Sequence, residues 1–180
     1  LHDRVVSLDA VERARLKIKQ GGVLQVDIVE RVPAALWRHA DGLDLLDAGG
    51  IRVGPAESRM AHARLPVLAG EGAEAAVPEA LELMAVTGPL ARRLRGFERM
   101  GARRWDVVLD RGQRILLPET GAVAALERVI AMDQAVDMLA RDLTVIDLRL
   151  PRRPTIRMTD SATEEMWRIR ETEAGGGLRP

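Results

Sequence analysis

Cysteine is absent from the 180-residue chain. Its absence excludes disulfides, thiolate nucleophiles and Cys-ligated metals, and leaves the redox compartment open. Aromatic residues are scarce: one Phe (Phe97), three Trp and no Tyr. A packed core must then be mainly aliphatic, and a base-stacking platform lacks the faces it needs. No apolar run approaches the roughly 20 residues that cross a bilayer, and no signal peptide opens the chain. An excess of one charge is missing too, with 27 basic against 27 acidic side chains, so no global basic field attracts nucleic acid. The first residue is Leu1 rather than Met, which reads as a fragment of a longer chain whose anchor or export signal lies outside it.

What is present suits one ordinary domain or slightly more. Hydrophobic residues make up 47%, enough for a packed core and against global disorder. Asp3 to Ala10 reads as the end of a short helix. VERARLKIK (Val11–Lys19) alternates apolar and basic residues, the pattern of a half-buried strand. Gly21-Gly22 makes a hairpin turn before the alternating Leu24, Val26 and Ile28. Pro33 marks a boundary. Beyond it, Ala35–Arg38, Leu43–Leu46 and Ile51–Val53 read as a meander separated by turn residues, and Glu57 to Gly72 reads as loop. The pattern predicts a helix over Val77–Arg95, interrupted at Gly88-Pro89, with Pro78 and acids at one end and Arg92, Arg93 and Arg95 at the other. A hairpin follows, Arg104–Leu109 and Gln113–Leu117 around Asp110-Arg111-Gly112. A second helix runs from about Ala122 to Leu139. Strands Leu143–Leu148 and Pro154–Met158 close the series, and a polar tail, helical in part, runs from Thr159.

Side chains with the spacing of known chemistries are few. His2, His39 and His62 show no ligand spacing and read as surface or loop residues. Ser7, Ser58 and Ser161 sit in no nucleophile elbow. Asp142 and Asp147 could work as an acid–base pair; Asp147 beside Arg149 is more simply a same-face ion pair on a strand. The span Arg92–Arg114 holds eight Arg against Glu98, Asp106 and Asp110. It reads as a solvated helix face and hairpin, as an anion-binding patch for nucleic acid or lipid, or as a place where Arg103 and Arg104 receive acidic partner side chains in a bidentate fork. In VIDLRLPRRPTIRM (Val145–Met158) a proline follows each of two Arg-bearing segments. Pro154 removes one ladder donor, which fits an edge strand and protects that edge from wrong pairing; the plainer alternative is that Pro154 ends the sheet.

Taken in order, ERVPAALW (Glu30–Trp37), LLDAGGIRV (Leu45–Val53), RLPVLAG (Arg64–Gly70), RRWDVVLDRGQRILLP (Arg103–Pro118) and VIDLRL (Val145–Leu150) resemble the motif series of the FtsQ/DivIB family of bacterial cell-division proteins. The resemblance covers about Ala10 to Met158. It implies a single-pass inner-membrane protein with a short cytoplasmic tail, a POTRA domain and a β domain in the periplasm. The implied fold is α+β: a partial POTRA module over residues 1–33 (its last helix and last two strands), then an FtsQ-type β domain over 34–159. That domain would be a curved, mainly antiparallel sheet with two helices packed on one side, followed by a flexible tail over 160–180. No catalytic residue, cofactor or metal is implied.

The resemblance also implies partners, above all FtsB–FtsL, with FtsW/FtsI and FtsK as further divisome contacts. An FtsB segment would add a strand to the last edge of the sheet. Carried onto this chain, the contact residues are Arg149, Leu150, Arg152, Ile156 and Met158, with Arg103 or Arg104 meeting an acid and Met132 lining an apolar pocket. Leu150 and Met158 stand where the family pattern has aromatics, so about 0.5–1.5 kcal/mol of stacking per aromatic pair is forgone. The rival readings are a POTRA-containing envelope assembly or secretion component that binds substrate strands, and an enzyme of envelope metabolism.

Overall fold

The computed structural model describes residues 2–150 and 152–175. Leu1, Pro151 and residues 176–180 lie outside the described residues, and with them the reading of a mobile glycine-rich end.

The N-terminal part is a short helix, α1 (His2–Val6), and a two-stranded hairpin, β1 (Val11–Ile18) and β2 (Leu24–Glu30). Ala14 faces Ile28, Leu16 faces Val26 and Ile18 faces Leu24 across the pair. These residues make one apolar face. Much of it is open: Ile18, Leu24, Val26 and Ile28 are all exposed.

The rest is built on one nine-stranded sheet. Its strands are β3 (Ala35–His39), β4 (Gly42–Leu46), β5 (Arg52–Pro55), β6 (Val67–Ala69), β7 (Leu94–Met100), β8 (Arg104–Leu109), β9 (Arg114–Leu116), β10 (Leu143–Asp147) and β11 (Thr155–Met158). The spatial order is β11-β10-β9-β8-β7-β6-β3-β4-β5. Three neighbouring pairs are parallel, β3–β6, β6–β7 and β9–β10; the others are antiparallel. The fold is thus α+β with a mostly antiparallel sheet, as the resemblance implies.

Two of the parallel pairs explain why the main helices share a face. α2 (Val77–Val86) connects β6 to β7, and α3 (Ala122–Val136) connects β9 to β10. The four strands point the same way, and both crossovers step toward β11. Crossovers between parallel strands are right-handed, so both helices fall on the same side. There they bury one core. Trp105, Val107 and Leu109 of β8, Phe97 of β7, Ile115 of β9 and Ile146 of β10 meet Ala80 and Leu83 of α2 and Leu126 and Val129 of α3. Phe97 and Trp105 pack edge to face, centroids 6.5 Å apart.

Two strands, β6 and β7, depart from the sequence expectation. The helix expected to reach Arg95 ends at Val86, where Thr87 Oγ1 donates to Met84 O at 2.8 Å. A 3₁₀ turn at Gly88–Leu90 follows, and then β7 begins at Leu94. β7 hides its alternation because a charged residue, Arg99, points into the helix side. Its guanidinium pairs with Glu79 of α2 and lies 5.0 Å from the Trp105 ring centroid. β6 lies within the expected loop. It has three residues and is central, with Leu68 fully buried, too short for any period to show.

The C-terminal stretch from Asp160 to Gly175 is a helix, α4. No helix among the described residues is long and apolar enough to cross a membrane.

Candidate partner-binding edge

Motif residues carry the frame that holds the sheet's ends in place. Asp47, in the LLDAGGIRV turn, accepts from the backbone N–H of Gly49 and Ile51 at 2.9 and 2.8 Å and pairs with Arg31 at 2.5 Å. Burial pushes its carboxyl up, but these hydrogen bonds, Arg31's first, hold it below the usual range. Arg31 also donates to Asp9 O and Val11 O, tying the hairpin to the large sheet. Gly70 ends the RLPVLAG strand at φ +92°, and a Cβ there would lie 2.1 Å from Arg99 O.

Among the described residues β11 pairs with β10 alone, which leaves backbone groups open along its other side. Along a strand, the N–H and C=O of successive residues point to alternate sides. Arg157 O accepts from Thr144 Oγ1 at 3.3 Å, and Thr159 N donates to Asp142 O at 3.0 Å. The odd-numbered residues therefore face β10. Pro154, Ile156 and Met158 turn their backbone toward the open edge. The donor that Pro154 lacks is missing on that side, where no strand of the described residues would have accepted it.

The side chains of the ribbon divide by face. Ile156 stands opposite Ile146, and Met158 opposite Leu143; both partners belong to the helix-side core. Ile156 is 52% exposed and Met158 39%. On α3, Met132 (41% exposed) and Val136 (55%) are four residues apart and so share a helix face. The other face of the ribbon carries charge. Arg149 forks the Asp147 carboxylate, with Nε at 2.9 Å and Nη2 at 2.6 Å. That pair holds the Asp147 carboxyl below its usual range. Arg157, exposed on the same face, has no ion pair among the described residues.

The other residues singled out from sequence take different places. Leu150 is 65% exposed, and Arg152 is exposed beyond it. Arg103 and Arg104 part ways. Arg103, in the β7–β8 turn, pairs at 3.2 Å with Glu119, both well exposed. Arg104 lies on the helix-free face of the sheet, 3.0 Å from Asp106. Asp106 is 2% exposed, and burial raises its carboxyl above the usual range despite Arg104 and Arg114. β8 is three strands from β11, about 14 Å at strand spacing, so neither arginine touches a strand laid along β11. Sequence reasoning missed Val136 and Arg157. The i, i+4 spacing from Met132 could have shown the first, and the alternation of TIRM the second.

His39 sits on a strand, half-buried, with its ring tilted 36° against Trp37 at a centroid distance of 4.5 Å and 3.3 Å from Asp44. The arginine-rich span proves mostly structural. Arg93 bonds Asp110 and Leu139 O, Arg99 bonds Glu79, and Arg114 bonds Glu98 and Asp106.

Comparison with known proteins bears on the family of the chain. A family model described as cell division protein FtsQ/DivIB, C-terminal, matches residues 35–149. A protein named cell division protein FtsQ from Roseobacter litoralis is 52% identical over 171 residues, covering 95% of this chain and 58% of the relative. Those from Dinoroseobacter shibae and Paracoccus denitrificans are 54% and 57% identical, covering 93% and 88% of this chain and 57% and 46% of the relatives. The chain therefore spans about half the length of these relatives. With that identity over nearly all its residues, and with the family model lying across β3 to β10 of the sheet, the chain belongs to the FtsQ/DivIB family of cell division proteins.

Proposed function

We propose that this chain is the partner-binding region of a cell-division scaffold, docking the FtsB–FtsL pair in the periplasm through strand addition at β11. The observation that carries the reading is the open edge: Ile156 and Met158 turn their backbone N–H and C=O away from β10. An incoming strand completes those groups, and its alternate side chains meet two unlike surfaces. One is apolar, from Ile156 and Met158, and in this reading the exposed Met132 and Val136 of α3 add to it. The other is basic, from Arg157 and Arg149. A segment alternating apolar and acidic residues fits both. Arg152 and Leu150 extend the contact beyond the strand. Arg103 suits an acid on a longer partner segment, because its exposed pair with Glu119 is worth little and exchanges readily; Arg104 is committed to Asp106.

In this reading residues 34–159 form the binding domain and residues 1–33 contribute the end of a POTRA module. The whole protein is anchored by a single inner-membrane helix, contacts FtsW/FtsI and FtsK as further partners, and acts by contact rather than catalysis.

The test is calorimetric titration with the FtsB–FtsL ectodomains. Ile156→Glu places a charge against the apolar surface and weakens binding at least tenfold, about 1.4 kcal/mol. Arg149→Glu weakens it as well. Both variants keep the wild-type circular dichroism spectrum. Unchanged affinity in two folded variants would remove β11 as the docking edge.

A further inference from the structure

The helix-free face of the sheet holds a second feature, away from β11. A groove of about 390 Å³ runs across β3, β6, β7 and β8. Its floor is aliphatic: Val67 and Ala69 of β6 and Val108 of β8, with Gly96 of β7 between them. Gly96 cannot carry a side chain, because a Cβ would lie 2.5 Å from Val67 O. The floor stays low there for that reason. Arg38, Arg59 and Arg95 stand around it.

These arginines differ from most others on the same face. Arg104 is paired with Asp106, Arg114 with Glu98 and Asp106, and Arg149 with Asp147. Arg38 and Arg95 have no ion pair or side-chain hydrogen bond among the described residues, and Arg59 donates only to His62 O, at 2.8 Å. Glu98, the one acid lining the groove, is taken by Arg114. Among the described residues the groove thus carries three positive charges with no lining acid free to pair with them.

We propose that this groove binds an acidic, extended polypeptide segment in which carboxylates alternate with aliphatic side chains. Each part of the geometry argues for that occupant. The strands beneath are paired on both sides, so the segment is held by its side chains and not by strand addition. The apolar floor takes aliphatic side chains. The three arginines come from separate elements, β3, the loop before β6 and β7, which suits carboxylates spaced along a chain; a single phosphate needs donors converging on one point. The site is independent of the β11 reading.

The test is an NMR titration of the ¹⁵N-labelled 180-residue chain with the blocked peptide Ac-Glu-Val-Glu-Val-Glu-NH₂. The expected result is saturable shifts at the amides of Val67–Ala69 and Gly96–Glu98. Binding weakens several-fold as salt rises from about 0.05 to 0.3 M, because exposed ion pairs are screened. It is lost in the double variant Arg38→Gln/Arg95→Gln and retained in Ile156→Glu. The comparison of Glu and Gln peptides on the unaltered chain needs no variant to fold. Equal shifts from the Gln peptide, or undiminished binding by the folded double variant, overturn the proposal. So do the same shifts from inorganic phosphate alone, or a response to phosphatidylglycerol vesicles with none to the peptide.

Discussion

Asp44 and Asp47 show how single residues hold the family motifs in place. Arg52 forks Asp44 and Arg31 pairs with Asp47, and both carboxyls sit below their ordinary value of 3.8. A lowered folded pKa means stability that is present above pH 3.8 and lost as the pH falls through the folded values. Asp106 runs the other way. Its raised carboxyl favours the fold when protonated, and that contribution fades as pH rises through its folded value. The expected outcome is that Asp44→Asn flattens the acid limb of the unfolding free energy between about pH 5 and 2, measured by urea denaturation at each pH. Gly70→Ala is the backbone counterpart. It combines a positive φ with a Cβ 2.1 Å from Arg99 O and lowers stability by more than about 1 kcal/mol, read as a shift of the urea midpoint.

At the scale of elements, β7 and β11 teach opposite lessons. The sequence around the start of β7 reads as the end of a helix because Arg92, Arg93 and Arg95 suit a helix C-terminus. In the structure Arg93 instead reaches Asp110 and Leu139 O, bonding two later segments. No local signal shows that, since those partners lie 17 and 46 residues away. β11 was legible because proline constrains locally: Pro154 and the flanking arginines mark an edge whatever the strand packs on. Met158→Pro tests the edge itself. It removes an outward N–H that serves no ladder bond among the described residues, so the fold persists while, on the proposed strand addition, FtsB–FtsL binding weakens about tenfold or more, checked by calorimetry beside circular dichroism. Loss of the fold with the binding would place that N–H inside the sheet.

For the whole molecule, the issue is how the β1–β2 hairpin is held to the large sheet. Arg31 bridges Asp47 with Asp9 O and Val11 O, and Arg52 bridges Asp44 with Asp9. Arg31 and Asp47 are both largely buried, so removing one charge leaves the other uncompensated. Arg31→Gln is expected to speed amide hydrogen exchange in β1 and β2 while β7–β9, built around Trp105 and Phe97, keep their protection. Uniform acceleration across both sheets would show that the bridges support the entire fold instead of the junction.

The sequence by itself determined what is local or repeated along the chain: the alternating strands of the first hairpin, the Asp47 turn, the helix that starts at Ala122 though it ends at Val136 rather than Leu139, the Asp147–Arg149 pair, the proline-marked edge and the ordered motifs of the family. Side-chain period, turn chemistry and proline geometry act within a few residues and are written where they act. Only the tertiary structure decided that a three-residue segment becomes a central strand, that Arg99 turns toward the helices, that Arg103 and Arg104 take different partners, and that Arg38 and Arg95 are left unanswered over a groove. Those outcomes depend on which neighbour arrives across the sheet, and the neighbours come from distant parts of the chain.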